Sequence, residues 1–236
     1  MKVAIHQPQY FPWLRYVHKV MSADIFVYLD TVQFSKNGVQ NRNQIKTPNG
    51  AQWMTVAVRH EFGKSIRETE IADQKATQKH WKTLQANYAR SEGFQRWKLE
   101  LHDLLHRSVR TLDQVAIDST EWMLDKLGIR AKRIRASDLS EVDGQASELV
   151  ASICQNLNAK QYLTGTGALA YLKPEHFKPF SCEILLQRWQ PFTYEQSHRD
   201  IPFTPDLSTL DLLLNCPDSA ADLIARAGSW EALQSE

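Results

Sequence analysis

Apolar positions in this chain follow two rhythms. Val3-Ala4-Ile5 and Ile25-Phe26-Val27-Tyr28-Leu29 are short continuous apolar runs, the pattern of strands covered on both faces. Between them Trp13 to Met21 has helical character, and Pro12 stands where a first helical turn tolerates a missing amide. Strand, helix, strand predicts a parallel pair joined by a right-handed crossover. From Ala76 to Leu127 the rhythm becomes helical. Trp81, Leu84 and Tyr88, then Phe94, Trp97, Leu101, Leu104 and Leu105, then Val115, Ile117, Trp122, Met123 and Leu127 predict three consecutive helices stopped by Gly128.

Asn43 to Lys46 and Gln52 to Val58 flank the turn signal Thr47-Pro48-Asn49-Gly50, which predicts a β-hairpin projecting from the sheet. Arg67 to Ala72 reads as a further edge strand. Beyond Gly128, strands at Ala131 to Ala136, Gln161 to Leu163 and Glu183 to Leu186, with a helix at Ser147 to Asn156, restore the βαβ alternation. Pro191 to Pro205 reads as an ordered surface loop, and Leu207 to Leu214 as a helix in which Ser208 and Asp211 approach a capping pattern. The expected architecture is a single α/β domain over residues 1–236 with a doubly wound, mostly parallel sheet, a β-hairpin, and a helical subregion at about 75–127 that helps cover the site.

Composition narrows the classes. With 236 residues, 42% hydrophobic and 23% charged, the chain can bury a substantial core. A formal charge of +1 excludes a surface that grips nucleic acid throughout. Cys154, Cys182 and Cys216 are odd in number and lack paired metal spacing, so neither a disulfide framework nor a metal site is predicted. No signal-peptide core and no run near the ~18 apolar residues of a membrane span is present; a cytoplasmic protein without a membrane partner is expected.

The chemistry-bearing residues crowd the first fifth of the chain. His6 follows the first strand, and the carboxyl ends of parallel strands are where ligands bind; there it can move a proton or donate to an oxyanion. Asp30 ends the second strand and is expected at the same rim. The loop that follows carries Gln33, Gln40, Asn41, Arg42 and Asn43, with Lys46 behind it. Arg42 offers a planar fork for an anion, Lys19, Lys36 and Lys46 offer point charges, and the amides can orient an acceptor. Trp13, between Pro12 and Arg15, reads as a ligand-facing wall. Thr164-Gly165-Thr166-Gly167 lies between a strand and a helical stretch that ends in Tyr171-Leu172. Its spacing fits neither a Walker loop nor a dinucleotide fingerprint, so a tight turn and an anion cradle stay equally open. Ser208, His198 and Asp211 have triad residue types but no nucleophile elbow.

These residues resemble the WbqC-like family. The resemblance rests on His6-Gln7-Pro8-Gln9-Tyr10-Phe11-Pro12-Trp13 with Tyr16 and Lys19, then Asp30, Val32-Gln33-Phe34, Gln40-Asn41-Arg42-Asn43, Tyr162, Gly165, Gly167, Tyr171-Leu172, Leu207-Ser208 and Asp211. It implies a bacterial protein of surface-polysaccharide (O-antigen) biosynthesis that transfers glycine or a related acyl group to an amino sugar. Arg15 stands where that family usually has glycine. A weaker resemblance, to the opening of the nucleotidylyltransferase-type Rossmann fold, implies ATP over the strand ends, although the paired-histidine signature is not reproduced because His18 lies within the helix.

The expectation is an acyl- or aminoacyl-transferase that forms an amide on an amino sugar or related amine. His6, Asp30 and Lys19 are its catalytic candidates. Gln7, Tyr10, Trp13, Gln33, Asn41, Arg42, Lys46, Gly165, Gly167 and Tyr171 are the substrate-binding candidates. The donor is expected to be an aminoacyl-tRNA, a thioester or an ATP-activated acid, and the acceptor a small molecule such as a nucleotide-sugar. The alternatives are an ATP-dependent carboxylate-activating enzyme and a non-catalytic ligand-binding protein.

Overall fold

A computed structural model describes residues 1–36, 38–73 and 75–234. In chain order it contains β1 (Lys2–His6), α1 (Leu14–Ser22), β2 (Ile25–Tyr28), β3 (Arg42–Thr47), β4 (Gly50–Thr55), β5 (Val58–Arg59), β6 (Glu70–Ile71), α2 (Lys75–Tyr88), α3 (Glu92–His106) and α4 (Leu112–Lys126). There follow β7 (Lys132–Arg135), α5 (Ser147–Asn156), β8 (Gln161–Thr164), β9 (Glu183–Trp189), α6 (Thr209–Asn215), α7 (Ala220–Ala227) and β10 (Gly228–Ala232).

The main sheet has the order β10-β9-β8-β1-β2-β7. Five of its strands are parallel neighbours and β10 pairs antiparallel with β9. Renumbered among the parallel strands alone, the order is 3-2-1-4-5, which reverses direction between β1 and β8. Such a reversal opens a crevice at the carboxyl ends of the two strands, because the connections leave them toward opposite faces. The cores agree with this. Ala4, Phe26 and Tyr28 face one apolar cluster with Tyr16, Val17 and Val20 of α1 and Val115 and Met123 of α4. Val3, Ile5 and Val27 face a second, with Val150, Ile153 and Cys154 of α5. Neighbouring strand residues thus serve opposite cores, as the period of two requires.

The hairpin is β3 with β4, its two-residue turn at Pro48-Asn49 closed by Thr47 opposite Gly50. Gly50 sits at φ +90 and meets nothing within 4 Å, so glycine there supplies backbone freedom at the turn. The three predicted helices are α2, α3 and α4. The last ends in a Schellman motif, in which Ile129 N donates to Leu124 O at 2.9 Å and Gly128 N to Asp125 O at 3.0 Å. α6 is almost wholly buried, and α3 crosses it so closely that a Cβ at Gly93 would lie 2.5 Å from Leu213 O.

Three expectations need correction. The stretch after Thr164 continues not as an α-helix but as a 3-10 turn over Thr166–Ala170. The edge strand expected at Arg67 to Ala72 shrinks to the two-residue β6, paired with β5. Asp211 does not reach back to cap α6: Ser208 alone caps it, its Oγ accepting from Leu210 N at 3.1 Å, while Asp211 is drawn into the core by two tyrosines.

Among the described residues no helix is long and apolar enough to cross a membrane.

Candidate functional site

At the crevice the register sets a row of residues side by side. Ala4 pairs with Leu163 and Thr164 with Leu186, so continuing each ladder places His6, Gly165 and Gln187 at one level across β1, β8 and β9. Gly165 leaves a gap in that row. A Cβ built on it would have only Lys19 Nζ, at 3.9 Å, and Gln187 Oε1, at 4.0 Å, among its neighbours within 4 Å. Lys19 reaches over the gap from α1.

Each polar group around the gap is held in a defined state. His6 is partly buried, its ring edge against Tyr16 with 4.9 Å between centroids. Its Nδ1 lies 3.1 Å from Gln7 O; a carbonyl can only accept, so Nδ1 carries the proton and Nε2 keeps its lone pair. Burial, and then the neighbouring Lys19 charge, lower the imidazole pKa to about 3, so the ring is neutral at physiological pH. Lys19 is only 6% exposed, and burial lowers its pKa from 10.5 to about 7, with no hydrogen bond or ion pair among the described residues to offset the lost water. Gln187 Nε2 donates to Arg15 O at 3.0 Å and lies 2.8 Å from His18 Nδ1, which fixes the amide and leaves Oε1 toward Gly165. His18 in turn stacks on Trp230 and meets Trp189 edge-on. A carbonyl-type oxygen on Gln187 and a half-neutral amine on Lys19 therefore flank the gap, with the neutral His6 at the same level on β1. Among the described residues this set is poor in donors and has no carboxylate, and so suits a ligand that brings N–H groups.

The loop from Gln7 to Trp13 is clasped rather than left open. Phe11 is fully buried in a left-handed conformation, φ 43, a strain of about 1–3 kcal/mol for a non-glycine residue. Three side chains hold it there. Ser119 Oγ accepts from Phe11 N at 3.0 Å, and Asn43 Nδ2 and Ser208 Oγ donate to Phe11 O at 2.7 and 2.6 Å. Asn43 Oδ1 also accepts from Trp13 Nε1 at 2.6 Å and from Gln44 N at 2.8 Å. Gln40 Nε2 donates to Gln7 Oε1 at 2.8 Å, and Gln40 O accepts from Tyr10 N at 3.0 Å. The Gln40 to Asn43 stretch, expected to face a ligand, thus mainly fixes the turn that follows His6.

Other predicted residues are placed apart from the gap or turned from it. Asp30 is fully buried and both its oxygens accept from Ser137, from the backbone N at 3.0 Å and the hydroxyl at 2.6 Å; it fastens the end of β2 to the turn after β7 instead of presenting a carboxylate. Tyr10 is fully buried with its hydroxyl 2.9 Å from His80 Nδ1. Asn41 Nδ2 is spent on Val56 O at 2.9 Å. Arg42 lies with its guanidinium 4.5 Å over the Trp53 ring and donates to Gly38 O. Lys46 is 2% exposed and sits beside Asp211, whose carboxylate accepts from Tyr88 and Tyr194 and whose pKa burial raises. Gln33 is exposed and bridges to Ser65. Gly167, on the 3-10 segment beyond the gap, has open space around it, and Tyr171, which follows that segment, is 43% exposed. Of the three catalytic candidates, Lys19 lies close enough to His6 to lower its pKa, and Asp30 is turned to Ser137 instead. Gln187 was missed by sequence reasoning; its signal is a lone amide inside the apolar run of β9.

Trp13 does border a cavity, of about 750 Å³, lined also by Arg15, Trp189, Phe192, Tyr194 and Asp206. This cavity does not open on His6. It lies along the same two elements, one helical turn from Lys19 on α1 and two residues from Gln187 on β9.

Comparison with known proteins gives a family and one relative of note. The model of the WbqC-like protein family matches residues 7–223. An uncharacterized protein of Mycobacterium tuberculosis is 30% identical over 231 residues, which take in 94% of this chain and 97% of that protein. No solved structure matches.

Proposed function

The chain belongs to the WbqC-like protein family, and from that premise we propose that it is an acyl- or aminoacyl-transferase that forms an amide on an amine, an amino sugar or a close relative, at the β1–β8 crevice. The observation that carries this reading is the donor-poor gap at Gly165, flanked by Gln187 Oε1 and the desolvated Lys19 amine, with the neutral His6 at the same level on β1. A primary amine brings N–H donors that such acceptors satisfy, and with no carboxylate at the gap among the described residues its protonated form finds no counter-charge there.

The roles follow from proton affinity. A base works best when its pKa lies near the working pH; His6, at about 3, is too weakly basic, whereas Lys19, at about 7, is matched. In this mechanism His6 and Gln187 orient the amine, and its nitrogen attacks the acyl carbon as Lys19 takes the departing proton. The C–N bond forms, the bond to the leaving group X breaks, and Lys19 returns the proton to X. The sum is acyl–X plus R–NH2 giving acyl–NH–R plus HX. Incubation with labelled aminoacyl-tRNA or acyl thioester and a panel of amino sugars, followed by mass spectrometry of the amide, tests the reading. His6→Ala is expected to lower kcat by about 100-fold with its melting curve intact; product formed at the wild-type rate by that variant contradicts it.

The strand order favours a second reading, in which the same crevice first activates a carboxylate with ATP. Lys19 and the open backbone at Gly165 are compatible with a phosphate, whose charge would draw a proton back onto Lys19. Exchange of labelled pyrophosphate into ATP, dependent on a carboxylic acid, separates this route from direct transfer.

Filling the gap tests both readings at once. The Gly165 Cβ direction meets its nearest atoms only at ordinary contact distance, so Gly165→Val is expected to fold, with a melting temperature within a few degrees of wild type, and to lose at least 100-fold in kcat/KM. Unimpaired kcat/KM in that variant excludes the gap as the reaction site.

A further inference from the structure

We propose that the aromatic cavity beside α1 is a saccharide subsite that holds the ring of the amine-bearing substrate. This rests on the reading of the Gly165 crevice as the place of amide formation. Arg15 and Lys19 are spaced one turn apart on α1 and so share a face, as Gln187 and Trp189 do by alternation on β9. The crevice and the cavity therefore lie along one wall, and the proposed ring sits in the second with its amine directed toward the first.

The lining decides the class of ligand. Trp13, Trp189, Phe192 and Tyr194 line a cavity of about 750 Å³, within the range of small-molecule sites. Trp13 is rigid because its Nε1 is committed to Asn43. The wall opposite α1, residues 191–207, lacks helix and strand yet is braced by paired bonds between Gln196 and Thr204, at 2.9 and 3.0 Å. At the mouth Arg15 and Asp206 form an exposed ion pair at 3.3 Å, with 52% and 76% of their side chains accessible. Such a pair is weakly held, so its donors and acceptors can turn to ligand hydroxyls. Its two charges cancel, which disfavours a nucleotide's phosphates, for which Arg15 is the one cation lining the cavity among the described residues. A purely apolar acyl chain would desolvate the pair without replacing its hydrogen bonds. A hexose ring has both an apolar face for the indoles and hydroxyls for the pair.

The test follows the indole N–H signals of Trp13 and Trp189 in 15N NMR spectra of the full chain, assigned through Trp13→Phe and Trp189→Phe, on addition of glucosamine, AMP or butyrate. Glucosamine at millimolar concentration is expected to shift both signals and to leave Trp97 and Trp122, which pack on each other between α3 and α4, unmoved. Asp206→Asn is expected to weaken that binding at least fivefold. Shifts from AMP or butyrate without glucosamine, or from no probe, overturn the assignment. Because binding is read without turnover, a normal glucosamine titration with no amide product would remove the transfer reading and leave the subsite standing. Amide formed with both indoles silent would do the reverse.

Discussion

Lys19→Met is expected to abolish amide formation, lowering kcat by about 10²–10⁴-fold, the range for loss of a positioned general base, while the folded protein becomes more stable. Both effects come from one observation: an amine 6% exposed and held at a pKa of about 7 by burial. The unfolded chain keeps that amine at 10.5. Between about 7 and 10.5 the unfolded state therefore binds more protons than the native state, and stability rises with pH through that window. Below about 7 the amine is charged in both states and the burial penalty is complete. Methionine removes the penalty, so the variant's advantage, at least about 1 kcal/mol, is expected to be largest below pH 7 and to vanish above 10.5. In the wild-type protein kcat for the proposed transfer is expected to climb tenfold per pH unit below about 7 and to level off above it. Chemical denaturation at pH 6 and pH 10, with a pH–rate profile, checks each part. A variant that is both active and destabilised contradicts the assignment.

Asn43→Ala is expected to be the most damaging single change to the fold around the site, costing about 2–4 kcal/mol and lowering Tm by about 5–15 °C for a chain of this size. Asn43 is fully buried and spans three partners: it donates to Phe11 O and accepts from Trp13 Nε1 and Gln44 N. Alanine leaves the indole N–H and the Gln44 amide without that acceptor, and removes one of the three side-chain bonds that hold Phe11 in its left-handed conformation. Asn43→Asp keeps the acceptor but loses the donor, and is expected to fall between the two in thermal denaturation. Tm values for both variants within 2 °C of wild type would mean that the clasp is not what fixes the turn after His6.

The contrast between Lys19 and Asn43 explains how far the sequence was legible. Strand and helix periods located β1, α1, β2, the hairpin and the three helices α2 to α4, because each buries a continuous face that a local pattern records. The same patterns missed α7 and β10. Gly228 to Ala232 has no clean alternation, and it becomes a strand because β9 offers an unpaired edge, a tertiary fact.

Site residues divided for a similar reason. His6, Lys19 and Gly165 lie near strand ends or on the helix between two strands, where topology alone brings groups together. Asp30, Tyr10, Asn41 and Lys46 have the same polar types at similar places in the chain, yet each is buried against protein partners. Residue type cannot separate a polar group that waits for a ligand from one already satisfied by Ser137, His80 or Val56. Gln187 shows the reverse: a site group hidden because its position on β9 becomes relevant only when β8 is known to lie beside it.

The central claim, that the β1–β8 crevice is built around a desolvated lysine amine, can be tested without knowing any substrate. Titration of the Lys19 ε-carbon signal by 13C NMR in the free protein, assigned through Lys19→Arg, should give a midpoint near 7. A midpoint near the ordinary 10.5 would show a solvated surface lysine and would contradict the account.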